Sequence, residues 1–209
     1  MSTHPPARSA KARNTRETLL KAGEIAFSER GYHATSISEI CERAGLANGT
    51  FYRYFENKDD IFATLVERLE QALCDCIDRA GNEVERADDA LLRAYRDVLC
   101  YVGRERALYR VGRSAESMEM GIHRHFRANL AQALARIIQR GIQSAVLRPV
   151  NPEVCAYMLL GIIEFAVMRY ILWEPGSLSE AELQTFDNLI LHGIDTGTVS
   201  YTHLRAHET

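Results

Sequence analysis

Residues 35–58 constrain the fold of this chain more than any other segment does. Their sequence, TSISEICERAGLANGTFYRYFENK, contains two short amphipathic stretches separated by Ala44-Gly45-Leu46. Glycine adopts left-handed backbone conformations at little cost, so Gly45 can end one helix and turn the chain sharply into the next. The segment therefore predicts a helix-turn-helix.

Local signals set the boundaries of these helices. A first helix is predicted over residues 15–30, with Gly31 as its stop. Ser36 and Glu39 have the spacing of a capping box, which predicts that the second helix begins there. The third helix is predicted over residues 48–55.

The rest of the chain also repeats apolar residues at helical spacing. Asn57 is the expected cap of a long fourth helix that ends near Gly81. Further helices are predicted over residues 88–102, 105–113, 121–146, 152–173 and 179–194. Since no segment shows the alternation typical of a strand, the sequence predicts an all-α fold.

Residues 152–173 are apolar on almost every side. Glu164 and Arg169 interrupt them, and the uninterrupted runs are too short for a membrane span. We expect a helix that is buried on most faces, partly in the core and partly in a subunit interface. A carboxylate in such surroundings needs a cationic or ligand partner, or must be neutral.

Charge is distributed unevenly along the chain. Residues 1–58 carry a net charge of +3 and residues 59–209 a net charge of −6. A basic end on an acidic body favours a negatively charged partner that contacts one end only. Residues 1–13 are small, polar and basic, which indicates a flexible arm that could contact a nucleic-acid backbone.

The cysteines do not suggest a metal site or a disulfide framework. There are five, scattered along the chain, and no secretory leader is recognisable, so we expect reduced thiols in a cytoplasmic protein. Cys74 and Cys76 would point to different faces of a helix, which does not suit a zinc pair. We expect no metal and no cofactor.

Residues 198–209, TVSYTHLRAHET, do not continue the helical pattern. They resemble translated sequencing-adapter read-through, and we expect a non-native tail that replaces the natural C-terminus after about Gly197. His203 and His207 are therefore not interpreted as metal ligands.

The motifs in and around residues 35–58 resemble those of TetR-type transcriptional regulators over about residues 12–72, a third of the chain. The residues that carry the resemblance are Thr35-Ser36-Ile37, Ile40, Ala44-Gly45-Leu46, Gly49-Thr50-Phe51-Tyr52, Tyr54-Phe55 and Lys58, with Arg16, Leu19-Leu20, Ala22, Phe27 and Gly31-Tyr32 before them. Cys41 and Leu46 depart from the usual alanine and valine.

The resemblance implies a domain organisation and a function. It implies a flexible arm over residues 1–13, a three-helix DNA-binding domain over 14–58, and a helical ligand-binding and dimerisation domain over 59–197. The helices over 152–173 and 179–196 would form a four-helix bundle in a homodimer. Regulators of this kind bind double-stranded palindromic operators, mostly as repressors, and release them when a small-molecule effector binds the larger domain.

Several side chains suit contact with DNA. Asn48, Gly49 and Thr50 would give a slim, hydrogen-bonding edge for the major groove, and Arg53 is the candidate for reading guanine. The full set of candidates is Thr35, Ser36, Asn48, Gly49, Thr50, Tyr52, Arg53, Tyr54 and Lys58. Alternatively the aromatics only complete the core, which is the interpretation we adopt for Phe51 and Phe55.

Candidates for an effector pocket are spread over the later helices. They are Tyr95, Tyr109, Arg110, Arg113, His123, Phe126, Met158, Glu164 and Phe165, with Tyr157 and Trp173 as further possibilities. Arg110 and Arg113 could hold a carboxylate or phosphate, or could pair with Glu116 at the surface. The apolar and aromatic majority suggests a hydrophobic or amphipathic effector.

Two other classes of function compete with this one. A DNA-binding architectural protein without an effector would use the same helix-turn-helix over residues 35–58. An enzyme is disfavoured, because the sequence contains no glycine-rich phosphate loop, no metal-ligand spacing and no nucleophile–base signature.

Overall fold

A computed structural model describes residues 7–115, 122–173 and 179–194. Its helices are α1 (Ala7–Ala34), α2 (Ile37–Ala44), α3 (Asn48–Phe51), α4 (Lys58–Glu83), α5 (Ala87–Arg104), α6 (Arg106–Ser114), α7 (Ile122–Gln143), α8 (Pro152–Val167) and α9 (Glu180–Ile194). A π-helical segment, Met168–Trp173, follows α8. No β-strand occurs in these ranges, and the prediction of an all-α fold is confirmed.

The described chain forms two compact units. Residues 7–76, 98–115 and 122–130 belong to the first, and residues 77–97, 131–173 and 179–194 to the second. This division differs from the predicted boundary at residue 58, because parts of α5 to α7 are grouped with the N-terminal helices. The expected tail over residues 198–209 lies outside the described residues.

Helix α1 begins earlier than predicted. It starts at Ala7, so residues 7–13, which were expected in a flexible arm, are helical. Alanine, arginine and lysine in this stretch are strong helix formers, and a polar composition did not exclude a helix. Gly31 has φ 76° and ψ 169°, which breaks the helix three residues before its end and confirms the predicted role of this glycine.

Aromatic side chains fill the core of the first unit. Phe27, Phe51, Phe55 and Phe62 are each at most 2% exposed. The rings of Phe27 and Phe62 meet edge to face at 5.3 Å, and those of Phe51 and Phe55 lie 5.6 Å apart. The inward position expected for Phe51 and Phe55 is confirmed.

The turn between α2 and α3 forms as the sequence indicates. The Ser36 hydroxyl accepts a hydrogen bond from the Glu39 amide at 3.1 Å, and Gly45 has φ 65°. The capping box is only half formed, because the Glu39 carboxylate pairs instead with Arg30 at 3.2 Å and Arg43 at 3.3 Å.

Helix α3 is shorter than predicted. It ends at Phe51, and a tight turn follows in which the amides of Arg53 and Tyr54 donate to carbonyls three residues earlier. The next helix must begin at Lys58, where Asn57 caps it through the Asp60 amide at 2.9 Å. Residues 52–57 therefore redirect the chain instead of continuing α3.

In the second unit, α8 has one buried and one exposed apolar face. Leu159, Ile163 and Val167 are buried, whereas Met158 and Phe165 are 66% and 67% exposed. By length and composition, Pro152–Trp173 could cross a membrane, but half of its most apolar window is buried inside the protein. One face of this helix is thus buried in the core, and burial of the other face in a subunit interface stays a prediction.

Candidate nucleic-acid interface

The turn after α3 and the start of α3 form an exposed edge of the first unit. Tyr52 is 60% exposed, and Asn48, Gly49 and Arg53 are also exposed. The Arg53 guanidinium makes no hydrogen bond or ion pair with any described residue, whereas that of Arg43 in α2 pairs with Glu29 at 2.8 Å. An unpaired guanidinium beside an exposed phenol ring can donate to phosphate or to a base edge.

Neither a close contact with described residues nor the backbone conformation requires glycine at position 49. A Cβ added there would meet nothing within 4 Å, and its backbone is not left-handed. The space in front of this residue is open, so a ligand from outside could approach the backbone closely. That arrangement suits the backbone and base edges of a DNA groove.

Asn48 and Ser36 already make local hydrogen bonds. The Asn48 amide nitrogen donates to the Ser38 hydroxyl at 3.0 Å, and Ser36 caps α2. Each retains further capacity, since an amide has a second donor and an acceptor, and a hydroxyl that accepts can also donate. Their contact with DNA remains a prediction.

Thr35 does not lie on this surface. It is 2% exposed, and its hydroxyl donates to the carbonyl oxygens of Gly31 at 2.8 Å and Ala26 at 3.2 Å. Its amide is also engaged, with the Tyr32 carbonyl at 3.3 Å. The prediction that Thr35 contacts phosphate is wrong, because the residue closes the break between α1 and α2 from inside.

Lys58 is also turned inward. Its ammonium donates to the carbonyl oxygens of Tyr32 and Thr35, each at 2.9 Å, and lies 4.2 Å from the centre of the Tyr32 ring. The predicted orientation toward phosphate is therefore not observed. Sequence spacing could not reveal these contacts, because their partners are more than twenty residues away.

Tyr32 and Asp59 add a second link at the same place. The Tyr32 hydroxyl donates to the Asp59 carboxylate. Burial of the ring, and then the bond to Asp59 and its negative charge, raise the pKa of Tyr32 to about 12. The phenol is therefore protonated at neutral pH and keeps its donor role.

The effector candidates are divided between the two units. In the second unit Tyr95 is buried against Phe186, with ring centres 5.4 Å apart, and burial followed by the charge of Asp187 raises the pKa of Tyr95. Met158 and Phe165 are exposed on α8, and their place in an effector pocket stays a prediction. Glu164 is half-buried in the same helix.

The remaining candidates lie in the first unit. Tyr109, Arg113 and Phe126 are half-buried, and Arg110 is exposed. Helix α7 contains His123, whose side chain the structure does not describe. Glu116 lies outside the described residues. The two interpretations of Arg110 and Arg113 therefore both remain open.

An open groove of about 660 Å³ lies in the second unit along α7 and the start of α8. It is lined by Gln132, Ala135, Arg136, Gln139, Arg140, Gln143, Asn151, Pro152 and Glu153, and includes none of the effector candidates. Seven of its nine lining residues end in an amide, guanidinium or carboxylate group, although most of the accessible lining surface is apolar.

Known proteins agree with the fold and with a helix-turn-helix in the first unit. Residues 19–65 match the family described as bacterial regulatory proteins, tetR family. The uncharacterized HTH-type transcriptional regulator YdgC of Bacillus subtilis (strain 168) is 27% identical over 195 residues, 88% of this chain and 95% of the relative.

Two solved structures share the fold at low identity. The fatty acid degradation regulator FadR from Bacillus halodurans has a TM-score of 0.73 and 18% identity, covering 91% of this chain and 97% of that one. SmeT, the repressor of the Stenotrophomonas maltophilia multidrug efflux pump SmeDEF, has a TM-score of 0.70 and 20% identity, covering 87% and 91%.

These findings define a DNA-binding transcriptional regulator with a helix-turn-helix. Residues 19–65 carry the tetR-family match, and together with the HTH-type relative this match supports a TetR family transcriptional regulator.

Proposed function

We propose that the chain is a dimeric repressor that reads a near-palindromic operator with residues 48–54 and releases it when an apolar or amphipathic effector binds. The observation that supports DNA reading is the exposed pair Tyr52 and Arg53 beside Gly49, where the protein leaves an open approach. A cytoplasmic location follows from action on the chromosome.

Within this edge the side chains have different tasks. Asn48 and Thr50 present short polar groups at the start of α3, next to the open space at Gly49. Arg53 is the donor that can bind guanine bidentately, whereas Tyr52 and Tyr54 suit phosphate oxygens. Ser36, at the start of α2, could donate to a second phosphate.

Titration of single variants tests these roles. On a duplex selected by the wild-type protein, Tyr52→Ala should weaken binding to all sequences, and Arg53→Ala should also relax the preference at one position of each half-site by about 1–3 kcal/mol. Arg104→Ala, which removes an exposed guanidinium at the end of α5, is the matched control. Unchanged affinity in both reading-edge variants would refute the assignment.

Dimerisation is supported by the exposed apolar face of α8. Val154, Tyr157, Met158 and Phe165 recur at helical spacing and are 44–67% exposed. Gly161 lies among them, and a Cβ there would meet nothing within 4 Å, so another helix could approach closely. A contiguous apolar stripe of this kind is typical of a subunit interface.

Light scattering after gel filtration tests the interface. Phe165→Glu should convert the dimer to a monomer, because it places a charge in the desolvated centre of the contact. Tyr52→Glu, at a similarly exposed aromatic outside the stripe, should leave the dimer intact. A Phe165→Glu protein that remains dimeric would place the interface elsewhere.

The effector class is supported more indirectly. Tyr95 and Phe186 make an aromatic contact in the second unit, and the two fold neighbours are named for fatty acid degradation and multidrug efflux. Thermal-shift measurements with a panel of acyl-chain and lipophilic compounds should find one that raises the Tm and releases the operator. A panel that changes neither property would contradict an apolar effector.

A further inference from the structure

Side chains of Thr35 and Lys58 make several of the hydrogen bonds at the break between α1 and α2. At Gly31 the helix loses its regular hydrogen bonds, which leaves carbonyl groups without helical partners. The Thr35 hydroxyl donates to the Gly31 carbonyl at 2.8 Å and also lies 3.2 Å from that of Ala26, and the Lys58 ammonium donates to the carbonyls of Tyr32 and Thr35. Buried carbonyls need such partners, so the break is an organised structure.

Two successive residues of α4 hold a single residue of α1. Lys58 binds the carbonyl of Tyr32 and lies over its ring, while Asp59 accepts a hydrogen bond from its hydroxyl. The same ring packs edge to face on Phe62 at 5.0 Å. Backbone, ring face and hydroxyl of Tyr32 are thus all fixed by the first two turns of α4.

These contacts lie where the segment that contains α2 and α3 begins and ends. The chain leaves the break at Ser36, passes through α2 and α3, and returns at Lys58. The 2.9 Å hydrogen bond from the Lys58 ammonium to the Thr35 carbonyl connects the residues on either side of this segment. The orientation of the edge at residues 48–54 therefore depends on a bond that is distant from the edge itself.

We propose that Lys58 and Tyr32 are positioning residues for DNA reading, which set the orientation of α2 and α3 on α4 without contacting DNA. This inference rests on the proposed function. It predicts that their loss lowers discrimination between sequences, because base contacts require precise alignment, and preserves the electrostatic component of binding, because no phosphate contact is lost.

Salt titrations of matched lysine variants test the proposal. Lys58→Met removes the ammonium and keeps the apolar stem, and Lys11→Met removes the same charge from an exposed position on α1. Binding constants are measured by fluorescence anisotropy over a range of salt concentrations, well below the Tm. The probes are a duplex selected from random sequence by the wild-type protein and its scrambled counterpart.

We expect Lys58→Met to lower the ratio of selected to scrambled affinity about tenfold or more, with an unchanged slope of log K against log salt. Lys11→Met should leave the ratio unchanged even if the basic arm contacts phosphate, because such a contact strengthens binding to both duplexes alike. A phosphate contact would instead weaken both duplexes equally and reduce the slope by about 0.9, which would overturn the proposal. A lower Tm with an unchanged ratio would show a purely stabilising role and would also overturn it.

Tyr32→Phe keeps the proposal testable if Lys58→Met does not fold. It removes only the hydroxyl bound to Asp59, and the ratio should fall about threefold or more. An unchanged ratio in a folded Tyr32→Phe protein would overturn the proposal. If the wild-type protein shows no preference for the selected duplex, the proposed function fails together with this inference. If wild type and both variants show the same ratio of selected to scrambled affinity, this inference alone is overturned.

Discussion

Replacing Thr35 and Thr50 separately by alanine distinguishes an internal from a DNA-contacting threonine. Thr35→Ala leaves the Gly31 carbonyl without the hydroxyl that lies 2.8 Å from it, in a position where the side chain is 2% exposed. An unsatisfied buried acceptor costs about 1–3 kcal/mol and the lost methyl about 0.8 kcal/mol. The free energy of unfolding should therefore fall by about 2–4 kcal/mol.

For a chain of 209 residues this loss corresponds to a fall in Tm of roughly 5–15 °C. Differential scanning calorimetry measures the Tm, and operator affinity is measured well below it. Thr50→Ala removes the same atoms from a half-buried position at the candidate interface and should lower operator affinity with little change in Tm. If Thr35→Ala left the Tm unchanged and weakened DNA binding, the internal role assigned to Thr35 would be refuted.

Three further predictions concern other parts of the chain. Gly49→Ala should fold with unchanged or slightly higher stability, because the added Cβ meets nothing within 4 Å, yet it should weaken operator binding in an electrophoretic shift assay. Tyr32 has a pKa of about 12 when folded, against about 10 unfolded, so its contribution to stability should be complete below pH ~10 and lost as the pH rises toward 12. Urea unfolding at pH 9 and 11 should therefore show a larger loss of stability for wild type than for Tyr32→Phe. An equal loss in both proteins would contradict this prediction. Arg96→Met should reduce the free energy of unfolding by about 2 kcal/mol, because Asp187 of α9 is mostly buried and would lose its cation. The loss should be smaller than for a fully buried ion pair, because the Arg96 side chain is 38% exposed. An unchanged free energy of urea unfolding would show that the pair contributes nothing.

Local features of the fold could be predicted from the sequence. The left-handed Gly45 and the caps at Ser36 and Asn57 all form. Each depends on residues within a few positions of one another, where hydrogen-bonding capacity and backbone preference decide the result.

Contacts between distant parts of the chain could not be predicted in this way. Thr35 and Lys58 match the family pattern for DNA contact, yet their polar atoms bind carbonyls at the break after Gly31. On α8, apolar residues occur on all sides, so periodicity could not show that Met158 and Phe165 lie on the exposed face. In both cases the direction of a side chain is decided by tertiary packing.

Selection of DNA sequences by the purified protein tests the central claim most directly. The wild-type chain should enrich a near-palindromic motif whose half-site centres are about one helical turn, or 34 Å, apart. Arg53→Ala should enrich the same motif with one relaxed position in each half-site. Enrichment of no motif, or an identical motif for wild type and Arg53→Ala, would contradict reading by the exposed edge at residues 48–54.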